Sequence, residues 1–323
     1  MSNHIAITLY ERYYLHGKEL SEELTSSYWR KCHEKIDIKI SDREIKELRG
    51  FGFGDLENRS ILFQFSSWLT ILSYLVRLDS QKELCQLIKV GKKVVKRMGL
   101  SFTYDCFRQI CSLNLILRYL KTKNHLHVLV IGDGYGFLSA LLKEVLPDSR
   151  ITLVDLGKTL LFQAYYIQKA HPALSHRLTL NHDAGKIIKV ESDFSYCPAE
   201  FLSQLDLNVK FDLAINIASM QEMNQETIRY YFDYLRHHLS SENLFYCCNR
   251  EEKELPGGER VRFADYPWSL KDMHLVDGVC PWIRYFISFY RHEKGPHFRK
   301  VWYPLVSRFD GSVLHRLSCL DTV

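Results

Sequence analysis

The sequence predicts an α/β protein: a parallel sheet with helices on both faces, preceded by a helical N-terminal region. Three observations carry this expectation. From about Ile5 to Leu120 almost every segment reads as helix. From His125 onward, short apolar runs rich in β-branched residues alternate with helical segments, the pattern of strands buried on both faces. The first such run, HLHVLVIG, ends in a glycine-rich turn and passes directly into a helix. Residues 1–122 are therefore expected to form a helical cover or oligomerisation surface, and residues 123–323 an α/β domain with a loop-rich tail.

In the N-terminal region, SEELTSSYWRKCHEKI, SDREIKEL and SQKELCQLIKVGKKVVKRM each open on Ser with acidic residues close behind, the signature of a helix start. Between Arg59 and Arg77 lie 17 uncharged residues, near the lower limit for a membrane span. Gln64, Ser66, Ser67, Thr70 and Ser73 interrupt them, while Leu62, Phe65, Leu69, Leu72 and Val76 recur at helical spacing. That pattern predicts a soluble helix buried along the apolar stripe. RGFGFGDLEN, Arg49 to Asn58, reads as a plain loop, because no strand is expected before it to make a phosphate cradle.

In the second half, FLSALLKEVLP, GKTLLFQAYYIQKAHP and NQETIRYYFDYLRHHL are the expected helices, the last capped by Asn224. RITLVD, FDLAINIA and NLFYCCN are strands, and SDFSYCPAEFLSQL holds another. RLTLNHDAGKIIKV is expected as an inserted hairpin, with WIRYFISFYR and KVWYPLVSRF as strands of the tail.

Composition excludes several classes. A chain of 323 residues, 46% of them hydrophobic, has ample material for a core. Its 43 basic and 38 acidic residues are scattered, and a net charge of +5 marks no nucleic-acid surface. Nine cysteines, an odd number without a Cys-x-x-Cys pair, predict reduced thiols in a cytoplasmic protein. The N-terminus lacks the basic-then-apolar order of a secretory signal.

The chemistry-bearing stretch is VLVIGDGYGFLSALL, Val128 to Leu142. Glycine permits positive φ and close approach to a ligand, and the helix start behind it offers unpaired N–H groups. Spacing narrows the ligand. Dinucleotide sites use Gly-x-Gly-x-x-Gly, but Phe137 stands at the last place; a P-loop needs Gly-Lys-Ser/Thr, which is absent. Asp155 closes RITLVD 23 residues after Gly132. There a carboxylate can accept from both hydroxyls of a ribose, or cap the following helix. NIASMQEM, Asn216 to Met223, ends the fourth strand, at the sheet edge where open α/β folds bind ligands. Asn216, Ser219, Gln221 and Glu222 either face that ligand or cap the next helix.

Gly-x-Gly-x-Gly after a first strand resembles the Rossmann-like methyltransferases that use S-adenosylmethionine. VLVIGDGYGFLSALL, LVDLGKTLLFQAYYI, FDLAINIASMQEMNQETIRYYFDYL, FYCCNR and DGVCPW, in that order, resemble the sugar O-methyltransferase family over roughly Leu126 to Trp282. The resemblance implies a Rossmann-like methyltransferase sheet and methyl transfer to a hydroxyl of a sugar, sugar nucleotide or glycoside, often in polysaccharide biosynthesis, releasing S-adenosylhomocysteine. It implies cofactor contacts from Gly132, Asp133, Gly134, Tyr135, Gly136, Asp155, Leu156, Pro198, Ala199 and Asn216, and acceptor contacts from Gln221 and Arg250. Where the family has an acid two places before the first glycine, this chain has Val130.

Such a transfer must align the acceptor oxygen with the C–S bond and take up its proton. Glu222 is the expected base by position; His274 is the second candidate, with Asp277 to orient it. Trp268 and Trp282 either stack on a sugar face or fill core. No His/Asp/Glu cluster has metal-ligand spacing, which leaves a divalent metal open. A carbohydrate acceptor is the expected partner, without nucleic acid or a membrane span, and homo-oligomerisation stays open. So do methyl transfer to another small molecule and a non-catalytic binding or interaction role.

Overall fold

A computed structural model describes residues 4–16, 25–42, 44–50, 52, 54–77, 81–121, 124–180, 192–205, 210–287, 298–300, 306–309 and 311–322. Helix α1 (His4–Tyr10) runs into a π-helical turn, followed by α2 (Ser27–His33) and a hairpin of β1 (Asp37–Ser41) and β2 (Glu44–Arg49). Three longer helices come next, α3 (Ile61–Leu75), α4 (Gln81–Met98) and α5 (Tyr104–Tyr119). Alternation then begins with β3 (His127–Ile131), α6 (Phe137–Val145), β4 (Arg150–Asp155) and α7 (Gly157–Ala170). It continues through β5 (His176–Leu178), β6 (Phe194–Pro198), β7 (Phe211–Ile217), α8 (Gln225–His238) and β8 (Leu239–Arg250). The tail adds β9 (Glu252–Glu254), β10 (Arg260–Arg262), β11 (Met273–Val279), β12 (Tyr285–Ile287), β13 (Phe298–Lys300), β14 (Val306–Phe309) and β15 (Val313–Cys319).

Eight strands form the central sheet, in the order β11-β15-β8-β7-β3-β4-β6-β5. Strands β5, β6, β4, β3, β7 and β8 run parallel; β15 is antiparallel to both β8 and β11. This is a Rossmann-like α/β sheet, as the sequence pattern predicts. Alternate residues of β3 explain its two-faced burial. Val128 and Val130 join the core shared with the N-terminal helices, α6 and α7, and Leu129 and Ile131 join the one shared with α8. The N-terminal helices are built onto the first of these cores. Helix α1 packs on α7, and α4 on α5, α6 and α7. At the start of α7, a Cβ on Gly157 would fall within 2.3 Å of the Tyr13 ring, so glycine is what lets the two segments meet.

Two expectations are corrected. SDREIKEL is not a helix: Ser41 ends β1, and its residues from Glu44 to Leu48 belong to β2, paired antiparallel with β1. DIKIS alternates with a period of two, and its pairing with EIKELR, whose buried positions are Ile45 and Leu48, overrides the helix-start signature. Helix α3 is present, but rotated from the expected orientation. Leu62, Phe65, Leu72 and Val76 face outward, and Ser66, Ser67, Thr70, Ile71 and Tyr74 face inward. The polar side faces in because it has partners there. Ser66 Oγ donates to the carbonyl of Ile287, Thr70 Oγ1 accepts from Ile287 N–H at 2.8 Å, and Tyr74 Oη accepts from the N–H groups of Arg284 and Tyr285 at 2.9 and 3.0 Å.

Of the expected hairpin RLTLNHDAGKIIKV, Arg177 and Leu178 belong instead to β5, the edge strand parallel to β6, and residues 181–190 lie outside the described residues. The two tail strands are present as the shorter β12, β13 and β14. All nine cysteines are free thiols. No described helix is long and apolar enough to cross a membrane.

Candidate functional site

A cavity of about 470 Å³ opens at the carboxyl ends of β3, β4 and β7, a volume in the range of small-molecule sites. One wall is the glycine turn, through Val130, Gly132, Asp133 and Gly134, together with Asp155. A second is the segment after β7, with Ile217, Ala218, Ser219, Gln221 and Glu222, plus Arg250 and Lys253. The third comes from the N-terminal region: Tyr28, Trp29, Gly50, Gly52, Gly54, Asp55, Asp105, Arg108 and Gln109.

The glycines serve different ends. Gly132 has φ +74°, and a Cβ there would lie 2.0 Å from Ser219 Oγ, so the turn and the segment after β7 close together only around a glycine. Gly136 lies outside the cavity wall. Its Cβ would meet Ile167 at 2.7 Å and Gln163 Cα at 3.2 Å, so this third glycine serves helix packing of α6 against α7. Tyr135 also points into the core, edge-on to Tyr166 and Phe162. Beyond β7, Ala218 holds φ +59°, an uncommon conformation for a residue with a Cβ. Such strain gathers at ligand sites.

Five carboxylates line the cavity, and four of them are engaged. Asp133 accepts from the N–H groups of Leu138 and Ser139 at 3.1 and 2.8 Å, capping α6 from inside the turn. Burial nevertheless raises its pKa to about 7. Asp155 Oδ1 accepts from Leu156 N–H and Thr159 Oγ1, both at 2.8 Å, and Oδ2 accepts from Gln163 Nε2 at 2.6 Å. Burial raises this carboxyl to about 6. A carboxylate has about four acceptor positions, so one remains on Asp155, room for a single hydroxyl rather than the two expected.

Glu222 pairs with Lys253 Nζ at 2.6 Å, and that ammonium lies 4.1 Å from the centre of the Tyr28 ring. Burial raises the Glu222 pKa despite Lys253. Asp105 holds Arg108 at 2.7 Å and accepts from Asp55 N–H at 2.9 Å. Asp55 is the exception. Asp55 is exposed on the cavity with no hydrogen-bond partner for its carboxylate among the described residues, and desolvation together with the charge of Asp105 raises its pKa.

The remaining expected residues divide. Gln221 and Arg250 are together on the cavity, with Gln221 Oε1 accepting from Arg250 N–H at 2.8 Å. Asn216 is buried behind the wall. It donates to Ile131 O at 2.9 Å and accepts from Asn249 Nδ2 at 2.8 Å and Met220 N–H at 3.2 Å, tying three strand ends together. Leu156 and Ala199 line a side recess of only about 20 Å³ beside Asp155, and Pro198 sits in register with Asp155 at the end of β6. His274 and Asp277 lie on the edge strand β11, away from the cavity. His274 Nδ1 is 2.8 Å from Ser318 Oγ, and Asp277 pairs with Arg316, so Asp277 does not orient the imidazole as expected. Trp268 and Trp282 are core residues against Phe232 and His315. Among the described residues no group of three or more His, Cys, Asp or Glu is placed to hold a metal ion.

The N-terminal wall is what sequence reasoning missed. RGFGFGDLEN reads as a plain loop for want of a preceding strand, yet β2 runs into it and ends at its first residue, Arg49. A Cβ on Gly54 would lie 2.1 Å from Asp105 Oδ2. Glycine here lets α5 approach the loop, and the repeated glycines were the available signal.

No family model and no curated protein matches the chain. Solved structures show distant likenesses. A TehB-like S-adenosylmethionine-dependent methyltransferase of Corynebacterium glutamicum is 11% identical, TM-score 0.39, over 65% of this chain and 86% of its own. A candidate O-methyltransferase of Klebsiella pneumoniae is 11% identical, TM-score 0.41, over 80% and 99%. A methyltransferase of Thiobacillus denitrificans in complex with S-adenosylhomocysteine is 15% identical, TM-score 0.31, over 45% and 50%. With TM-scores under 0.5, none of them decides what this chain does.

Proposed function

We propose that the protein transfers a methyl group from S-adenosylmethionine to a hydroxyl of a sugar, sugar nucleotide or glycoside. The observation that carries the reading is the cavity itself. A turn in which Gly132 and Gly134 flank Asp133, and a carboxylate with one open acceptor position, Asp155, stand across from a polar and aromatic wall. The turn fits a nucleoside lacking phosphates, since no lysine or arginine lines it. When bound, that cofactor supplies an electrophilic methyl group on a sulfonium. Val130 gives this end of the cavity an apolar side chain where the resembled family has an acid.

The chain's own residues do the rest. Gly132 and Gly134 let the backbone approach, and Asp155 accepts from one ribose hydroxyl. Tyr28, Trp29, Gln109, Gln221 and Arg250 orient the acceptor. The acceptor's proton goes to Asp55, because Glu222, the base expected from position, is held in its pair with Lys253. The Glu222–Lys253 pair then shapes the acceptor side. His274 and Asp277 have no part in this reading.

Titration calorimetry with S-adenosylhomocysteine tests the cofactor. Wild-type protein should bind, and Asp155→Ala should weaken binding about tenfold, the worth of one charge-assisted hydrogen bond; no binding by folded wild type overturns the reading. Methyl transfer to a panel of sugars and sugar nucleotides tests the acceptor class. In the same assay Asp55→Asn should lower kcat about 100-fold or more with S-adenosylhomocysteine affinity unchanged. If Glu222→Gln does this and Asp55→Asn does not, Glu222 is the base.

A further inference from the structure

We propose that the outward faces of α3 and α4 form one docking surface for an anionic lipid bilayer, so that the protein works at a membrane surface without spanning it. Helix α3 turns Ile61, Leu62, Phe65, Trp68, Leu72 and Val76 outward, at exposures between 42% and 84%. This is not the core side of a misplaced helix. The opposite side is fixed by hydrogen bonds from Ser66, Thr70 and Tyr74 to the backbone around β12. Ile61, Leu62, Trp68, Leu72 and Val76, exposed on one side in this way, mark an interaction site.

The neighbouring helix says which partner. Helix α4 buries Leu84, Leu87, Val94, Val95 and Met98 and exposes Lys82, Lys89, Lys92, Lys93, Lys96 and Arg97. Arg97 pairs with Glu144 of α6, and Glu83 is the one acid within α4 itself. Arg59, just before α3, donates to the carbonyl of Gly99, just after α4, at 3.0 Å. Both helices pack on α5, and the Arg59–Gly99 bond brings the start of α3 to the end of α4, which sets the two helices antiparallel.

An apolar strip beside a cationic strip is the layout of an interfacial anchor, with apolar side chains entering the headgroup boundary and lysines meeting lipid phosphates and carboxylates. Trp68, stacked on Phe65 at 6.1 Å, is of the aromatic type that settles at headgroup depth. Arg59 and Arg77 bracket the uncharged stretch between them. A second copy of this chain fits less well. An isologous pairing through α3 brings two lysine-rich strips to one interface, and α4 carries almost no acid to answer them.

The full-length protein can be sedimented with phosphatidylcholine vesicles, alone or with about a quarter phosphatidylserine, at about 0.1 and 0.5 M salt. The expected result is binding about tenfold or more stronger to the anionic vesicles at low salt, lost at high salt. Lys89→Glu with Lys93→Glu should reduce it about tenfold or more, and Trp68→Ser with Leu72→Ser by a similar factor. Circular dichroism and thermal melting check that both variants fold; if the α3 variant does not, the lysine reversals decide. No binding by wild type, equal binding to both vesicles, or binding indifferent to the lysine reversals overturns the proposal. So does a dimer seen by light scattering that Trp68→Ser converts to monomer, which gives this face to a second copy instead.

Discussion

Gly132 shows how one missing methyl group sets the site. Its positive φ, and the 2.0 Å that would separate a Cβ here from Ser219 Oγ, make two independent demands for glycine. Gly132→Ala should therefore destabilise the protein by about 2 kcal/mol or more, read as the shift in denaturant midpoint, and weaken S-adenosylhomocysteine binding in calorimetry. Removing the Ser219 side chain as well, in Gly132→Ala with Ser219→Gly, should recover part of the stability, because the clash goes and the backbone strain stays. Equal losses in single and double variants sink this account. The glycine pattern is legible in the sequence because it is local. What Asp155 does is only half legible. Its place at the end of β4 follows from the strand pattern, but its bonds to Thr159 and Gln163 depend on where α7 starts. The expected role of Asp277 fails for a similar reason: spacing along β11 does not reveal that Arg316, on β15, is its partner.

Among the elements, α3 tests the difference between a pattern and its orientation. Helical spacing of Leu62, Phe65, Leu72 and Val76 identifies the helix, since period 3.6 is intrinsic to it, but the apolar side is not the inward one. Which way it faces is decided by Arg284, Tyr285 and Ile287, more than 200 residues later, whose backbone groups need partners. Tyr74→Phe should accordingly cost about 1–3 kcal/mol, because two N–H groups lose their acceptor and the Tyr285 carbonyl its donor. Trp68→Ser, on the outer face, should change stability by less than about 0.5 kcal/mol. Urea unfolding of both variants checks the contrast, and a larger loss for Trp68 would mean that the outer stripe is the packed one. The hairpin of β1 and β2 makes the same point at shorter range. Ser41 followed by acids looks like a helix start, yet the alternation of DIKIS prevails because β2 is there to pair with it.

At the scale of the whole molecule, the cavity belongs to neither half of the chain, which is why only its sheet side can be read in advance. Alternation announces a sheet and its ligand edge; nothing local says that Tyr28, Gly54 or Asp105 will close over it. Joined together, the walls bring five carboxylates against three cationic side chains, Arg108, Arg250 and Lys253. The consequence is a pH dependence whose sign can be worked out. Asp155 titrates at about 6 and Asp133 at about 7, each raised chiefly by burial above the ordinary carboxylate value. In the ligand-free protein a carboxyl raised in the folded state contributes stability below its unfolded pKa, and that contribution is lost as pH rises through the folded value. Free protein should thus lose stability between about pH 4 and 7 from these groups. A bound sulfonium cation reverses the preference, since it favours their ionised forms. Affinity for S-adenosylmethionine should then rise between about pH 5.5 and about pH 8, and rise more steeply than affinity for the product S-adenosylhomocysteine, which lacks the sulfonium charge. Thermal shift with each ligand across that window measures both trends at once. Parallel curves for the two ligands would mean that the carboxylates do not sense the sulfonium, and that the excess of acids around the cavity serves the acceptor instead.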